Sequence, residues 1–186
     1  FDPVAARFHG YPGHSEIGNV GIRVTVTDSQ GATAFDDFDL SVVNVNDPPL
    51  LTTLTGAEVS ENEAHAIVGT LFTIDPDTGD PVSYSLPFGG NQNQFEITGN
   101  TLRVAGNGLN YEEHATRPVT VRATDAGGLY LDTIFSVAVT DLNEVPVIVN
   151  GLGDRFLTED LLFSFSVSTD ALVDPDAGDE LSYQQS

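Results

Sequence analysis

The sequence is 186 residues long, with 28 Asp and Glu against 6 Lys and Arg, a formal net charge of −22, and no Cys, Met or Trp. That charge repels phosphate backbones and anionic lipid, so nucleic acid and membrane surfaces are poor partners, and the missing Cys excludes disulfides and thiolate metal or redox sites. No apolar run nears the ~20 residues needed to cross a bilayer, the first residues show neither a basic nor an apolar leader region, and the chain reads as a soluble piece of something longer.

Forty per cent of the residues are hydrophobic, and their alternation argues against disorder. In chain order, Val20, Ile22, Val24 and Val26 share one face of a strand, with Arg23, Thr25 and Thr27 on the other. Turn chemistry follows at Asp77-Thr78-Gly79-Asp80 and Phe88-Gly89-Gly90-Asn91. The period of two returns at Val119, Val121 and Ala123, and after the turn Ala126-Gly127-Gly128 at Phe135, Val137 and Val139. It returns once more at Phe163, Phe165 and Val167. No stretch of comparable length has helical spacing. Short strands with turn signals every ~10 residues predict an antiparallel sandwich. The 11 Phe, largely on alternating positions, read as its core, as do Tyr84 and Tyr183.

The chain also repeats itself. Val24-Thr25-Val26-Thr27-Asp28 answers Val121-Arg122-Ala123-Thr124-Asp125 at an offset of 97, and Asn44-Val45-Asn46-Asp47-Pro48-Pro49 answers Asp141-Leu142-Asn143-Glu144-Val145-Pro146 at the same offset. Asp75-Pro76-Asp77-Thr78-Gly79-Asp80 answers Asp174-Pro175-Asp176-Ala177-Gly178-Asp179 at 99, and Glu61 answers Glu159 at 98. The expected organisation is one complete repeat, residues 48–145, between the second half of a repeat at 1–47 and the first half of another at 146–186. The chain ends are expected to interrupt a mid-repeat loop.

The recurring acids fall at strand ends and in the linkers between repeats. Turn preference accounts for Asp and Asn singly, but not for their return at a fixed period. Crowded carboxylates raise one another's pKa unless a cation is present, and six to eight hard oxygen ligands suit Ca²⁺.

With these residues in view, the chain resembles the cadherin superfamily. The middle repeat is similar to a bacterial cadherin repeat through Ser60-Glu61-Asn62, Asp75-Pro76-Asp77, Leu109-Asn110-Tyr111-Glu112, the strand ending at Asp125, and the linker from Asp141 to Pro146. Residues 1–47, with Phe1-Asp2-Pro3 and Phe8-His9-Gly10-Tyr11-Pro12, and residues 146–186, with Leu157-Thr158-Glu159-Asp160, resemble halves of dystroglycan-type cadherin-like domains. The resemblance implies an all-β fold of antiparallel Greek-key β-sandwich repeats in tandem, stiffened by Ca²⁺ between consecutive repeats. It places Asn44, Asn46, Asp47, Asp75, Asp77 and Asp125 at the first junction, and Glu61, Glu112, Asp141, Asn143, Glu144, Asp174 and Asp176 at the second. Asn110 stands where the family has Asp, and Asn44 replaces the usual linker Asp; each removes a charge and implies a weaker or missing ion.

A half-sandwich leaves strand edges and an apolar face open. Strands of ~7 residues rising ~3.3 Å each would separate the ends of the middle repeat by roughly 30–40 Å, too far for the halves of one molecule to meet. The expectation is head-to-tail self-association, with 146–186 of one molecule completing 1–47 of the next and growing open filaments. That pairing brings Glu159 to the first junction and Asp28 to the second.

Other functions fit less well. Asp75 and Asp77 as glycosidase carboxylates lie two apart on a turn and recur, which catalytic pairs have no reason to do. His14-Ser15 lacks the strand-turn-helix setting of a nucleophile, and His9, His65 and His114 have no zinc-ligand spacing. The chain therefore reads as no enzyme. A calcium-dependent carbohydrate-binding module is the alternative, with Tyr11 and Tyr130 as contacts, though Trp is absent. The chain thus reads as a secreted or cell-surface segment of a bacterial adhesin, with neighbouring repeats and further copies of the chain as partners, and glycans or surface proteins as targets.

Overall fold

The computed structural model describes residues 7–87, 89 and 91–184. Phe1, Asp2, Pro3, Phe88 and Gly90 of the motifs above lie outside the described residues. The elements are strands β1 (Gly18–Thr27), β2 (Thr33–Val42), β3 (Leu51–Gly56), β4 (Glu58–Ser60), β5 (Ile67–Ile74), β6 (Ser83–Ser85), β7 (Phe95–Thr98), β8 (Thr101–Val104), β9 (Thr116–Thr124), β10 (Tyr130–Thr140), β11 (Val147–Ile148) and β12 (Leu172–Val173). Short 3₁₀ turns lie at His14–Glu16 and Gln92–Gln94.

Two four-stranded sheets run in the orders β4-β10-β9-β6 and β3-β5-β8-β7, with separate two-stranded sheets β1-β2 and β11-β12. Pairing is antiparallel in β6–β9, β5–β8 and β7–β8, and parallel in β4–β10. This is the antiparallel β-sandwich that the alternation predicts. Strand β9 shows the cause: Arg117, Val119, Val121 and Ala123 are buried, and the residues between them are exposed or half-buried.

The chain packs as two compact units, Phe1–Thr53 with Phe72–Ser85 and Arg122–Thr133, and Leu54–Leu71 with Leu86–Val121 and Ile134–Ser186. The second unit holds the buried cluster, in which Val68, Phe95, Leu102 and Val104 from one sheet meet Val59, Val119, Val137 and Val139 from the other. Each such side chain contributes about 1.5–3 kcal/mol by leaving water. Arg117, only 2% exposed, directs its Nη2 to the Asn110 carbonyl at 3.1 Å and to Glu113 Oε2 at 2.9 Å.

The first unit contains the β1–β2 hairpin, in register from Gly18↔Val42 to Thr27↔Thr33. Asp28 closes its turn, with Oδ1 accepting the Gln30 and Ala32 N–H groups. Asp125 closes the corresponding β9–β10 turn by accepting the Leu129 N–H at 2.8 Å. The repeat extends to the surface: Arg23 makes a bidentate pair with Asp37 over the Phe35 ring, and Arg122 the same with Asp132 over the Tyr130 ring.

Three expectations need correction. Phe163, Phe165 and Val167 form no strand; among the described residues 162–168 join no strand ladder, and alternation makes a strand only when a ladder partner is present. The phenylalanines are not chiefly core: Phe95 is buried, while Phe35, Phe38, Phe72, Phe156, Phe163 and Phe165 are exposed; Phe72 lies between the buried Leu71 and half-buried Thr73 of β5, and among the described residues the β1–β2 hairpin and the 156–165 segment pair with no further strand. Tyr183 is likewise exposed and Tyr84 half-buried.

Candidate metal centres

Both linkers, residues 43–50 and 141–146, run without strand structure, which frees their amides and side chains for other partners. In the second unit the centre is built on Glu61, which directly follows β4 and is 1% exposed. Its Oε2 accepts the Tyr111 N–H at 3.0 Å and its Oε1 the Leu142 N–H at 2.8 Å. Gly108, at φ +113°, lies so close to the Asn62 backbone that a Cβ would come within 2.8 Å of it. Only glycine permits that approach, which seats the 109–112 loop against the turn carrying Glu61.

Glu61, Glu112, Asp141 and Asp176 thereby each bring one carboxylate oxygen within 4.8 Å of the others. Glu144 joins them, donating its N–H to Asp176 Oδ2 at 2.8 Å and accepting from the Asn62 amide. The electrostatics are those of a group short of positive charge. Burial, then the charges of Asp176 and Glu61, push the Asp141 carboxyl up. Burial also raises Glu144, against the hydrogen bond from Asn62 and with the charges of Glu61, Glu112 and Asp176. For Glu112 a backbone hydrogen bond at its own N–H acts to lower the carboxyl, but burial and the charges of Glu61 and Asp141 outweigh it and the net shift is upward.

The first unit repeats the design with different residues. Asp77, 9% exposed, accepts the Asn44 amide at 2.8 Å and the Asp47 N–H at 2.7 Å, as Asp176 accepts the Glu144 N–H. Those bonds, from Asp47 first and then Asn44, hold its carboxyl below the usual range. Asp75 accepts the Asp77 N–H and Asp174 the Asp176 N–H, the same turn in each copy. Asn46 reaches Asp125 Oδ2 at 2.9 Å.

That last contact depends on Gly127, where a Cβ would stand 2.3 Å from Asn46 Oδ1. Gly127→Ala is expected to expel the Asn46 side chain and weaken cation binding at the first linker several-fold, leaving the second unchanged. Site-resolved calcium titration by NMR checks this.

The sequence-derived residues thus divide. Asp47 and Asp77 come together in one group, Asp75 and Asp77 in another, and Glu61, Glu112, Asp141 and Asp176 in a third. Asp174 and Asp176 form a fourth group with Asp179, and Asp80 joins Asp75 and Asp77; neither Asp80 nor Asp179 was among the candidates, although their offset of 99 marked them. Asn110 caps the Glu113 N–H, and Asn143 donates to the Glu144 carbonyl. Among the described residues Asp28 and Glu159 join no group. His14 lies beside Asp47 and Asp77, a place no local motif announced.

The donor set fits a hard cation. Among the described residues, the shielded side-chain atoms without a hydrogen-bond partner include three carboxylate oxygens, Asp75 Oδ2, Glu144 Oε2 and Asp176 Oδ1, and all three belong to the linker groups. An uncompensated carboxylate oxygen is costly away from water, and a cation at each linker group would satisfy them. The sugar-stacking alternative loses one face at Tyr130, which Arg122 covers at 3.7 Å.

No family model matches the chain. Its sequence is 29% identical over 152 residues to the mouse protein named cadherin-related family member 2, and 28% identical over 141 residues to the Drosophila melanogaster protocadherin-like wing polarity protein stan. These matches cover 75% and 73% of the chain but only 11% and 4% of the relatives, so the chain spans a small part of their length. Among solved structures, the extracellular cadherin domains 1–4 of protocadherin gamma B7 align with a TM-score of 0.56 at 22% identity, covering 77% of this chain and 37% of that one. The protocadherin gamma B4 extracellular domain aligns at 0.54 and 18%, covering 72% and 22%. The fold is that of cadherin domains. Among the described residues, no helix is long and apolar enough to cross a membrane.

Proposed function

We propose that the chain is a calcium-binding, cadherin-like repeat segment that acts as a stiffening spacer or adhesion module of an extracellular protein, with Ca²⁺ held at the linkers. The observation that carries this reading is the set of three shielded, donorless carboxylate oxygens, all at the linker groups. Glu61, Glu112, Asp141, Glu144, Asp174 and Asp176 would hold the ion at the second linker, and Asn44, Asn46, Asp47, Asp75, Asp77 and Asp125 at the first. The ion supplies charge neutralisation. The chain's own contribution is to tie linker amides, such as those of Asp47, Leu142 and Glu144, to the same carboxylates, so that occupancy and linker geometry are coupled.

Self-association extends this reading. Val20, Val26, Phe35, Phe38 and Leu40 are exposed on the β1–β2 hairpin, and Phe156, Leu157, Leu161 and Leu162 are exposed elsewhere. In the complete repeat β4 pairs in parallel with the end of β10. The equivalent pairing sets the 156–158 segment of a second copy beside the end of β2.

Calorimetric calcium titration with light scattering on the same samples tests both. Asp75→Ala and Asp174→Ala should each lower the ion stoichiometry, and mass should grow with concentration. Unchanged stoichiometry in both variants would count against the calcium reading, and a constant monomer mass against self-association.

A further inference from the structure

We propose that the first linker is a mixed nitrogen and oxygen site for a borderline divalent cation of the zinc class, with His14, Asp47 and Asp77 as ligands, while the second linker is all oxygen and takes calcium. The inference rests on reading the linkers as cation sites, and it changes which ion the first one selects.

Geometry comes first. His14 Nε2 stands 3.5 Å from Asp47 Oδ2, and single ligand atoms of His14, Asp47 and Asp77 all lie within 4.8 Å of one another. Two donors bound tetrahedrally at about 2.0–2.1 Å are separated by about 3.4 Å, so the imidazole and the Asp47 carboxylate are already close to ligand spacing. The imidazole sits on a turn closed by Glu16, which accepts the Gly13 N–H at 2.7 Å through its side chain and donates its own N–H to the Gly13 carbonyl at 3.1 Å. A cleft of about 340 Å³ beside His14, Asn44 and Asp47 gives a hydrated ion access.

The repeat supplies an independent argument. Asp47 and Asp77 match Glu144 and Asp176 in place and in hydrogen bonding. Glu112 lies 13 residues before Asp125, and His14 lies 14 before Asp28, so the imidazole stands within one residue of the repeat position of that carboxylate. Asn44 takes the place of Asp141 at the offset of 97. Two carboxylates of the second centre are thus replaced in the first by a nitrogen ligand and a neutral amide. Calcium affinity falls with ligand charge, whereas an imidazole with two carboxylates suits zinc. In the neighbouring group that shares Asp77, Asp75 keeps Oδ2 shielded from water without a donor. An exposed His14–Asp47 ion pair is the plainer account of this contact, and it predicts no Zn²⁺ binding that depends on His14.

The test titrates the full 186-residue chain with Zn²⁺ in saturating Ca²⁺, by calorimetry and by NMR of the imidazole resonances. One Zn²⁺ should bind, with shifts at His14. His14→Gln should weaken it at least about tenfold, and the control His65→Gln should not. Glu61→Gln should impair calcium binding and leave Zn²⁺ binding intact. Equal Zn²⁺ affinity in His14→Gln, or no Zn²⁺ binding by the unaltered chain, overturns the proposal. Zinc that follows His14 in a chain that binds no calcium overturns the calcium reading, the second linker included, and supports the His14 site alone. Calcium filling both linkers while Zn²⁺ ignores His14 does the reverse.

Discussion

Saturating calcium is expected to raise the melting temperature by about 5–10 °C over EDTA. An ion that binds only the folded state stabilises it by about 2.7 kcal/mol at a hundred times its dissociation constant, and a chain of this size gains about 2–4 °C per kcal/mol. Glu112→Gln separates this linkage from ordinary packing because its two effects have opposite signs. In EDTA the variant should melt above the unaltered chain, since the amide removes a charge that Glu61 and Asp141 oppose; in calcium it should gain little. The pH dependence has the same origin. Glu112, Asp141 and Glu144 have folded pKa values above their ordinary ones, so the folded state binds their protons more tightly. Their unfavourable contribution is absent below the ordinary carboxylate range and grows as pH rises through it to the raised folded values. Calcium cancels that growth. Scanning calorimetry in EDTA and calcium at pH 5 and 7 measures each arm; identical melting in EDTA and calcium at pH 7 would sink the linkage.

Glu61→Ala is expected to cost about 3 kcal/mol even in EDTA, through unmade hydrogen bonds and a cavity. The side chain is 1% exposed and is the acceptor for both Tyr111 and Leu142, on either side of the candidate centre. Its removal leaves both N–H groups without their acceptor and detaches the linker from the loop. Glu61→Gln keeps the shape and one acceptor oxygen, and should lose less stability while still impairing calcium binding. Urea unfolding in EDTA checks the order; an alanine variant as stable as the unaltered chain would show that Glu61 does not organise the loop and linker.

Much of this was legible locally. Alternation at Val119, Val121 and Ala123 marks a strand because successive side chains point to opposite faces, whatever lies beyond. The offset of 97 exposes the linkers and the strand-end Asp because it compares the chain with itself. The recurrence of the acids was legible for the same reason: Asp47 answers Glu144 and Asp77 answers Asp176 before any coordinates are known. Burial was not legible. Phe163 alternates with Phe165 as Phe95 does with Ile97, and only Phe95 is covered, since coverage depends on an opposing sheet that no local pattern encodes.

The sequence by itself determined the all-β class, the repeat, and the acidic, oxygen-rich chemistry of the linkers, because each is a regularity of spacing or composition along the chain. Tertiary structure decided which of those acids meet. Asn44 reaches Asp77 across 33 positions, Asn46 reaches Asp125 across 79, and Glu61 takes the Leu142 N–H across 81. It also set His14 beside Asp47 and left Asp28 as a turn closure. Separations of that size are closed by strand pairing and core packing, whose geometry is a property of the folded chain and not of any short segment.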